Sequence, residues 1–469
     1  MNTQSEELYQ QLDERRDQIL NGSIIKTLVY LGWPVALSNI FQTIYNFADT
    51  LWVSQLGTYH VAATTLSFPL IFLFMSIAIG LSSAGTALTS QYFGARQEKE
   101  RDQVIAQVLS FMILFSVLIA IFGSFFTEDI LSLLGGSPQV LSLAAIFIRT
   151  LFLGMPALFT WFTFSSVLRA HGDTKMPMIL NGATMGINLV LDPLLIFGIG
   201  PFPHWGLFGA AITDVIGRVF ASVIGLAILL TGKRGFTLHL TYLVPKLRWF
   251  KKIASIGVPS SVGLSLTAVG AAVLTSLISR IGANPLAVYG IGSRLTRMSN
   301  MVIWGVTAGL SPMIGQNLGA ENKERAHKIL REATLAVFGL TLLLSFFLYG
   351  FRGSLFRLFS SKEAIVTEGK RFLAIFVFSV PFFGVYRAIN SVFQGAGHTK
   401  HSMILSIIRL WGIRILLTFL LYFIFHLGVA GIWMGIALGN FLGAGVSLLW
   451  SRLFTWDERV IDKEPHFPV

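Results

Sequence analysis

The sequence predicts an all-α polytopic membrane protein, with about twelve transmembrane helices in two parallel-repeat six-helix bundles. Three observations carry that prediction. Hydrophobic residues make up 54% of the 469 and charged residues only 12%, roughly half the charged fraction of a soluble domain. Mean hydropathy is +0.69, and apolar runs of about twenty residues, the length that crosses hydrocarbon as a helix, recur along the chain. Finally, several motifs recur at one fixed offset, the signature of an internal duplication.

Taken in order, residues 1–22 are polar, mixed in charge and lack the apolar stretch of a signal peptide. They read as a cytoplasmic N-terminal segment. An N-lobe over 23–231 follows, with spans near 28–54, 61–93, 103–126, 142–168, 176–198 and 207–231. The basic stretch 232–251 is a cytoplasmic linker. A C-lobe over 252–455 holds spans near 252–280, 286–318, 328–349, 367–394, 402–425 and 429–453, and 456–469 is a cytoplasmic tail.

Lys+Arg 35 against Asp+Glu 23 gives a net charge of +12. In a lipid-solvated chain these cations orient the loops and meet anionic lipid rather than nucleic acid. Arg96, Lys99 and Arg101 follow the second span, and Arg169 and Lys175 the fourth. Lys233, Arg234, Lys246 and Arg248 follow the sixth, and Lys323, Arg325 and Lys328 the eighth. The turns 55–60 and 199–206 hold no Lys or Arg. Both termini are therefore expected in the cytoplasm. The loop 350–371 disagrees, since it carries Arg352, Arg357, Lys362, Lys370 and Arg371 where an external loop is expected.

The duplication is read from three anchors. L-G-W-P at 31–34 recurs as I-G-V-P at 256–259. Q-Y-F-G-A-R at 91–96 recurs as Q-N-L-G-A-E at 316–321. V-L-R-A-H-G-D-T-K at 167–175 recurs as V-F-Q-G-A-G-H-T-K at 392–400, and the offset is 225 each time. Each half holds an even number of spans, so the two share one orientation. The halves part company in their acids: Asp49 maps to Leu274 and Asp192 to Leu417.

Gln42, Tyr45, Asn46 and Asp49 stand at i, i+3, i+4 and i+7 of the first span, one polar stripe on one helix face. Asn188 and Asp192 form an i, i+4 pair in the fifth. An acid inside a span is costly and ordinarily handles ions, protons or substrate; the alternative is interhelical hydrogen-bond glue. Asp49 and Asp192 are the expected ion-coupling pair, because two carboxyls sharing a low-dielectric pocket favour keeping a proton between them. The same acids with Gln42, Tyr45, Asn46, Asn188 and Thr213 would equally offer oxygens to Na⁺, centred on Asp49, Asn188 and Asp192. Asp214 and Arg218, at i and i+4, read as a mutual ion pair or as part of the proton path or cavity.

Pro34 and Pro193 are expected hinges or ordinary membrane prolines. The second half has cations without matching acids: Arg294, Arg297, Arg387, Arg409 and Arg414. Arg387 is the most central and is placed in the cavity lining. No cysteine is present, which excludes thiol chemistry, and no phosphate-binding loop supports ATP-driven work. The 9 histidines lack metal-ligand spacing, and His171 and His398 are expected in solvated loops. Neither a catalytic group nor a metal or cofactor is expected.

The stretches Q-T-I-Y-N-F-A-D-T-L-W-V at 42–53, V-L-R-A-H-G-D-T-K at 167–175, N-L-V-L-D-P-L-L-I-F-G at 188–198 and G-L-F-G-A-A at 206–211 give residues 23–455 a specific likeness. The chain resembles the multidrug and toxic compound extrusion (MATE) family, and its one-sided acids resemble the DinF-like branch. The resemblance implies two six-helix lobes around a V-shaped central cleft. It implies export of cationic or amphipathic compounds driven by H⁺ or Na⁺, with Gln42, Tyr45, Asn46, Asp49, Asn188 and Asp192 lining the N-lobe cavity. Asp214 departs from the small polar residue such relatives tend to have. The expected protein is a secondary active multidrug antiporter of a prokaryotic cytoplasmic membrane, working as a monomer. The alternative is a lipid-linked oligosaccharide flippase on a related scaffold, which the arginines of the second half would suit.

Overall fold

The computed structural model describes residues 3–232, 234 and 236–462. The tail expected over 456–469 is thus described only as far as 462, and Lys233 of the linker lies outside the described residues. Among them the chain is helical, with no strand. In hydrocarbon every backbone N–H and C=O must find its partner within the segment, and a helix does this alone.

Ten of the described helices are long and apolar enough to cross a membrane. An eleventh crossing is the pair Pro138–Leu153 and Met155–Ala170, bent by 49°. The bend falls at Gly154, followed by Pro156, whose ring cannot continue the preceding helix. The span expected at 286–318 is instead broken at Thr296 into Ala283–Leu295 and Arg297–Gly319. Its twin in the first half, Thr58–Gly94, runs unbroken through Pro69.

The duplication is visible in the helix ends. Glu98–Phe125 and Lys323–Gly350 begin and end 225 positions apart, as do Met155–Ala170 and Val380–Gly395. The chain divides into two compact units. One holds Met1–Arg16 and Leu37–Gly257, and the other Asp17–Ala36 and Val258–Asp462. The helix Ile24–Gln55 therefore contributes to both.

In the first unit, Ile105, Leu109, Phe164 and Leu168 form a buried cluster with Phe236 and Leu238 of the linker. The linker is strapped down by polar side chains as well. Gln107 Nε2 donates to the Val244 carbonyl at 2.7 Å, its Oε1 accepts from Lys246 N at 2.9 Å, and Ser110 donates to the Leu243 carbonyl at 2.7 Å.

His171 corrects the expectation of a solvated loop. It is 1% exposed, with its ring 4.6 Å from Phe93 and 4.5 Å from Phe236. Its Nδ1 lies 2.8 Å from the Val167 carbonyl, so the neutral ring donates there. Burial, with Arg101 and Arg15 nearby, pushes its pKa down to about 3. Beside it, Asp173 takes ion pairs from Arg15 at 3.2 Å and Arg234 at 2.8 Å. His398 is half-buried, its Nε2 3.0 Å from the Glu458 carbonyl.

In the second unit, Leu28 and Leu31 join Leu310, Ile314 and Phe393 in the core. Backbones approach closely there: a Cβ on Gly32 would sit 2.7 Å from the Gly305 carbonyl oxygen. The last membrane helix, Gly428–Leu453, carries glycine at 431, 435, 439 and 443, one stripe at i, i+4 spacing. Against that stripe lies Thr399–Ile424, which is π-helical over Ile408–Ile415 and Leu420–Ile424.

Candidate functional site

Within the first unit, three helices bring the acids together. Ile24–Gln55 supplies Gln42, Tyr45, Asn46 and Asp49, Lys175–Phe197 supplies Asn188 and Asp192, and Gly206–Leu230 supplies Thr213, Asp214 and Arg218. The last two helices touch through glycine. A Cβ on Gly209 would fall 2.6 Å from the Leu195 carbonyl oxygen, and one on Gly217 would fall 2.5 Å from Asn188 Oδ1. A larger residue at Gly209 would meet backbone and part the two helices, whereas one at Gly217 would displace the Asn188 amide itself.

Asp214 is the hub. Its Oδ1 accepts from Tyr45 Oη at 2.9 Å and from Asn188 Nδ2 at 3.4 Å, while Arg218 Nη2 pairs with its Oδ2 at 3.5 Å. The i, i+4 ion pair read from the sequence forms, and the acid also reaches two further helices. Asp192 is fully buried, and the Thr213 hydroxyl bonds its Oδ1. Thr213 Oγ1 also lies 2.8 Å from the Ala210 carbonyl oxygen. Among the described residues, Asp192 Oδ2 and Asn188 Oδ1 are buried without a hydrogen-bond partner.

Asp49 is half-buried and joins through its field, within electrostatic reach of both Asp214 and Asp192. Gln42 and Asn46 are exposed, and Gln42 Nε2 donates to Asn46 Oδ1 at 2.9 Å. Pro193 stands beside Asp192 inside an unbroken helix, and Pro34 likewise interrupts no helix. Arg387 belongs to the second unit, its guanidinium 4.1 Å over the Trp304 ring. What the sequence reading did not anticipate is Gly217 as the floor of Asn188. Its signal was present as a small residue three positions after Asp214 on the same face.

The chemistry available is proton or cation exchange. Among the described residues no group of three or more His, Asp or Glu could hold a metal ion. Two carboxyls and an amide oxygen, with buried unpartnered oxygens on Asp192 and Asn188, are nevertheless hard donors of the kind Na⁺ accepts.

A duplicated helical membrane protein with an ionisable cluster among its spans has the build of a transporter. This chain belongs to the MatE family, which it matches over residues 34–194 and 259–420, once in each half. It is 28% identical over 406 residues to the probable multidrug resistance protein YoeA of Bacillus subtilis, covering 86% of this chain and 88% of that one. It is 29% identical to the FAD transporter of Shewanella oneidensis, over 67% of this chain and 70% of that one. Among solved structures it superposes on a MOP superfamily transporter from Pyrococcus furiosus with a TM-score of 0.85 and 27% identity. That superposition covers 93% of this chain and 97% of the other, whose description reads "reverse polarity of binding pocket suggests different function".

Proposed function

We propose that this protein is a secondary active multidrug exporter that trades organic cations or amphipathic drugs for protons by alternating access. In this reading it sits in a prokaryotic cytoplasmic membrane as a monomer with both termini inside. Likeness to a probable multidrug resistance protein supports the substrate class.

The observation that carries proton coupling is the placement of Thr213 between Asp192 and the Ala210 carbonyl. A hydroxyl has one hydrogen. When Asp192 is charged, Thr213 gives that hydrogen to the carboxylate. When Asp192 carries a proton, it donates to Thr213 Oγ1, and Thr213 turns its hydrogen to the Ala210 carbonyl. Both protonation states are therefore hydrogen-bonded without moving a helix, which a reversible proton site in low dielectric requires. Asp49 and Asp214 set the field in which this exchange happens, and Tyr45 and Asn188 hold Asp214 in place.

Coupling follows if protons and substrate favour different states of the cavity. Substrate occupies the inward state with the acids charged, and protonation in the outward state expels it. Na⁺ is the second reading, favoured by the unpartnered oxygens of Asp192 and Asn188.

Dye efflux from proteoliposomes, with a pH gradient and a Na⁺ gradient imposed separately, tests this. The pH gradient alone is expected to drive wild-type efflux, and Asp49→Asn and Asp192→Asn each to abolish it. Drive by Na⁺ alone would reassign the cluster to a cation. Indifference to both gradients would overturn antiport and bring the flippase forward.

A further inference from the structure

Three arginines in the membrane helices of the second unit have no ion pair among the described residues. Arg387 stands in Val380–Gly395, and Arg409 and Arg414 in the π-helical stretch Ile408–Ile415. Residues five apart in an α-helix lie roughly 140° apart around the axis. The wider i→i+5 repeat turns Arg414 back toward the face of Arg409. Both stems rest on the glycine stripe of Gly428–Leu453. A Cβ on Gly443 would sit 2.4 Å from Arg409 Cγ, and one on Gly439 would sit 2.6 Å from Arg414 Cβ. The two arginines thus cross the same helix one turn apart.

Two of the three heads, those of Arg409 and Arg387, lie against aromatic rings. Arg409 is 4% exposed, its guanidinium 4.4 Å from the Tyr386 ring and 5.1 Å from the Phe383 ring. Arg387 lies 4.1 Å over Trp304. Arg409 is within electrostatic reach of both Arg387 and Arg414. Among the described residues, Arg409 Nε and Nη1, Arg387 Nε and Arg414 Nε are buried without an acceptor. The neighbouring Tyr386 hydroxyl is already engaged with Ser406 at 2.8 Å.

Three guanidiniums inside a membrane unit, each with a buried donor that lacks an acceptor among the described residues, form an expensive arrangement. Ring faces offset part of that cost and neutralise none of the charge. The component that completes the cluster is an anion. We propose that Arg387, Arg409 and Arg414 form a binding subsite for organic anions that join an aromatic ring to a carboxylate, sulfate or phosphate. The guanidiniums take the anionic group by charge-assisted hydrogen bonds. Trp304, Phe383 and Tyr386 take the ring. The subsite goes beyond cation export and does not depend on which ion drives transport.

Binding to the full-length purified protein tests it, with two xanthene dyes of similar size and opposite charge. Carboxyfluorescein is the anion and rhodamine 6G the cation. Fluorescence anisotropy is expected to show carboxyfluorescein bound by wild type. Its affinity should fall by about tenfold or more in the Arg409→Gln, Arg414→Gln double variant, with rhodamine 6G within about twofold of wild type. A folded double variant in which both affinities hold, or both fall together, overturns the subsite. So does wild type that binds no carboxyfluorescein. If the double variant does not fold, competition on wild type decides: inorganic pyrophosphate should displace carboxyfluorescein and leave rhodamine 6G, and failure to displace overturns the proposal.

Discussion

Asp214 shows how one residue can be half legible. Its pairing with Arg218 follows from i, i+4 spacing alone. Its bond to Tyr45 spans 169 positions of sequence and belongs to packing, which no local pattern encodes. His171 was misread for the same reason: loop composition suggested solvent, while Phe93 and Phe236 arrive from elsewhere to sandwich the ring. Its burial makes a pH prediction. Above its ordinary pKa of 6.5, His171 is neutral folded or unfolded. Below it the unfolded chain takes a proton that the folded chain, with a pKa of about 3, refuses. Stability therefore falls as pH drops from 6.5 toward 3, by about 1.4 kcal/mol per unit and so about 2 kcal/mol by pH 5. Thermal unfolding in detergent at pH 7 and pH 5 checks this: His171→Phe should lose less stability between the two than wild type does. An equal loss would move the acid sensitivity elsewhere.

Among the elements, helices that announce themselves by apolar length were read with ends within a few residues, such as 103–126 against Glu98–Phe125. The break at Thr296 and the π-helical stretches were not legible. A shift from i→i+4 to i→i+5 changes no composition; it answers to what lies alongside. Alongside Thr399–Ile424 is the glycine stripe of Gly428–Leu453. A Cβ on Gly435 would fall 2.5 Å from Thr418 Cα, backbone that cannot step aside, whereas Gly445 has nothing within 4 Å. Gly435→Ala is accordingly expected to destabilise by about 1–3 kcal/mol. Gly445→Ala should be neutral or stabilising by up to about 1 kcal/mol through helix propensity. Melting temperatures of the two variants, measured in parallel, separate contact from propensity.

Over the whole molecule, the repeat was legible because three motifs share one offset, and the helix ends keep it. What diverged is chemistry. The twin of half-buried Asp49 is Leu274, 1% exposed in an apolar cluster with Ile278 and Val288. Leu274→Asp should therefore cost about 3 kcal/mol or more, since the new carboxyl meets no partner, and should not restore transport to Asp49→Asn. Rescue of transport would show the two halves to be interchangeable after all. The sharing of Ile24–Gln55 between both compact units also has a consequence for biosynthesis. Leu28 and Leu31 leave the ribosome long before Leu310, Ile314 and Phe393, with which they share one core cluster. At about 5–20 residues per second, roughly 280 residues of waiting amount to tens of seconds. Lipid tails are as apolar as the missing partners, so the bilayer shelters that face until the second half has been made.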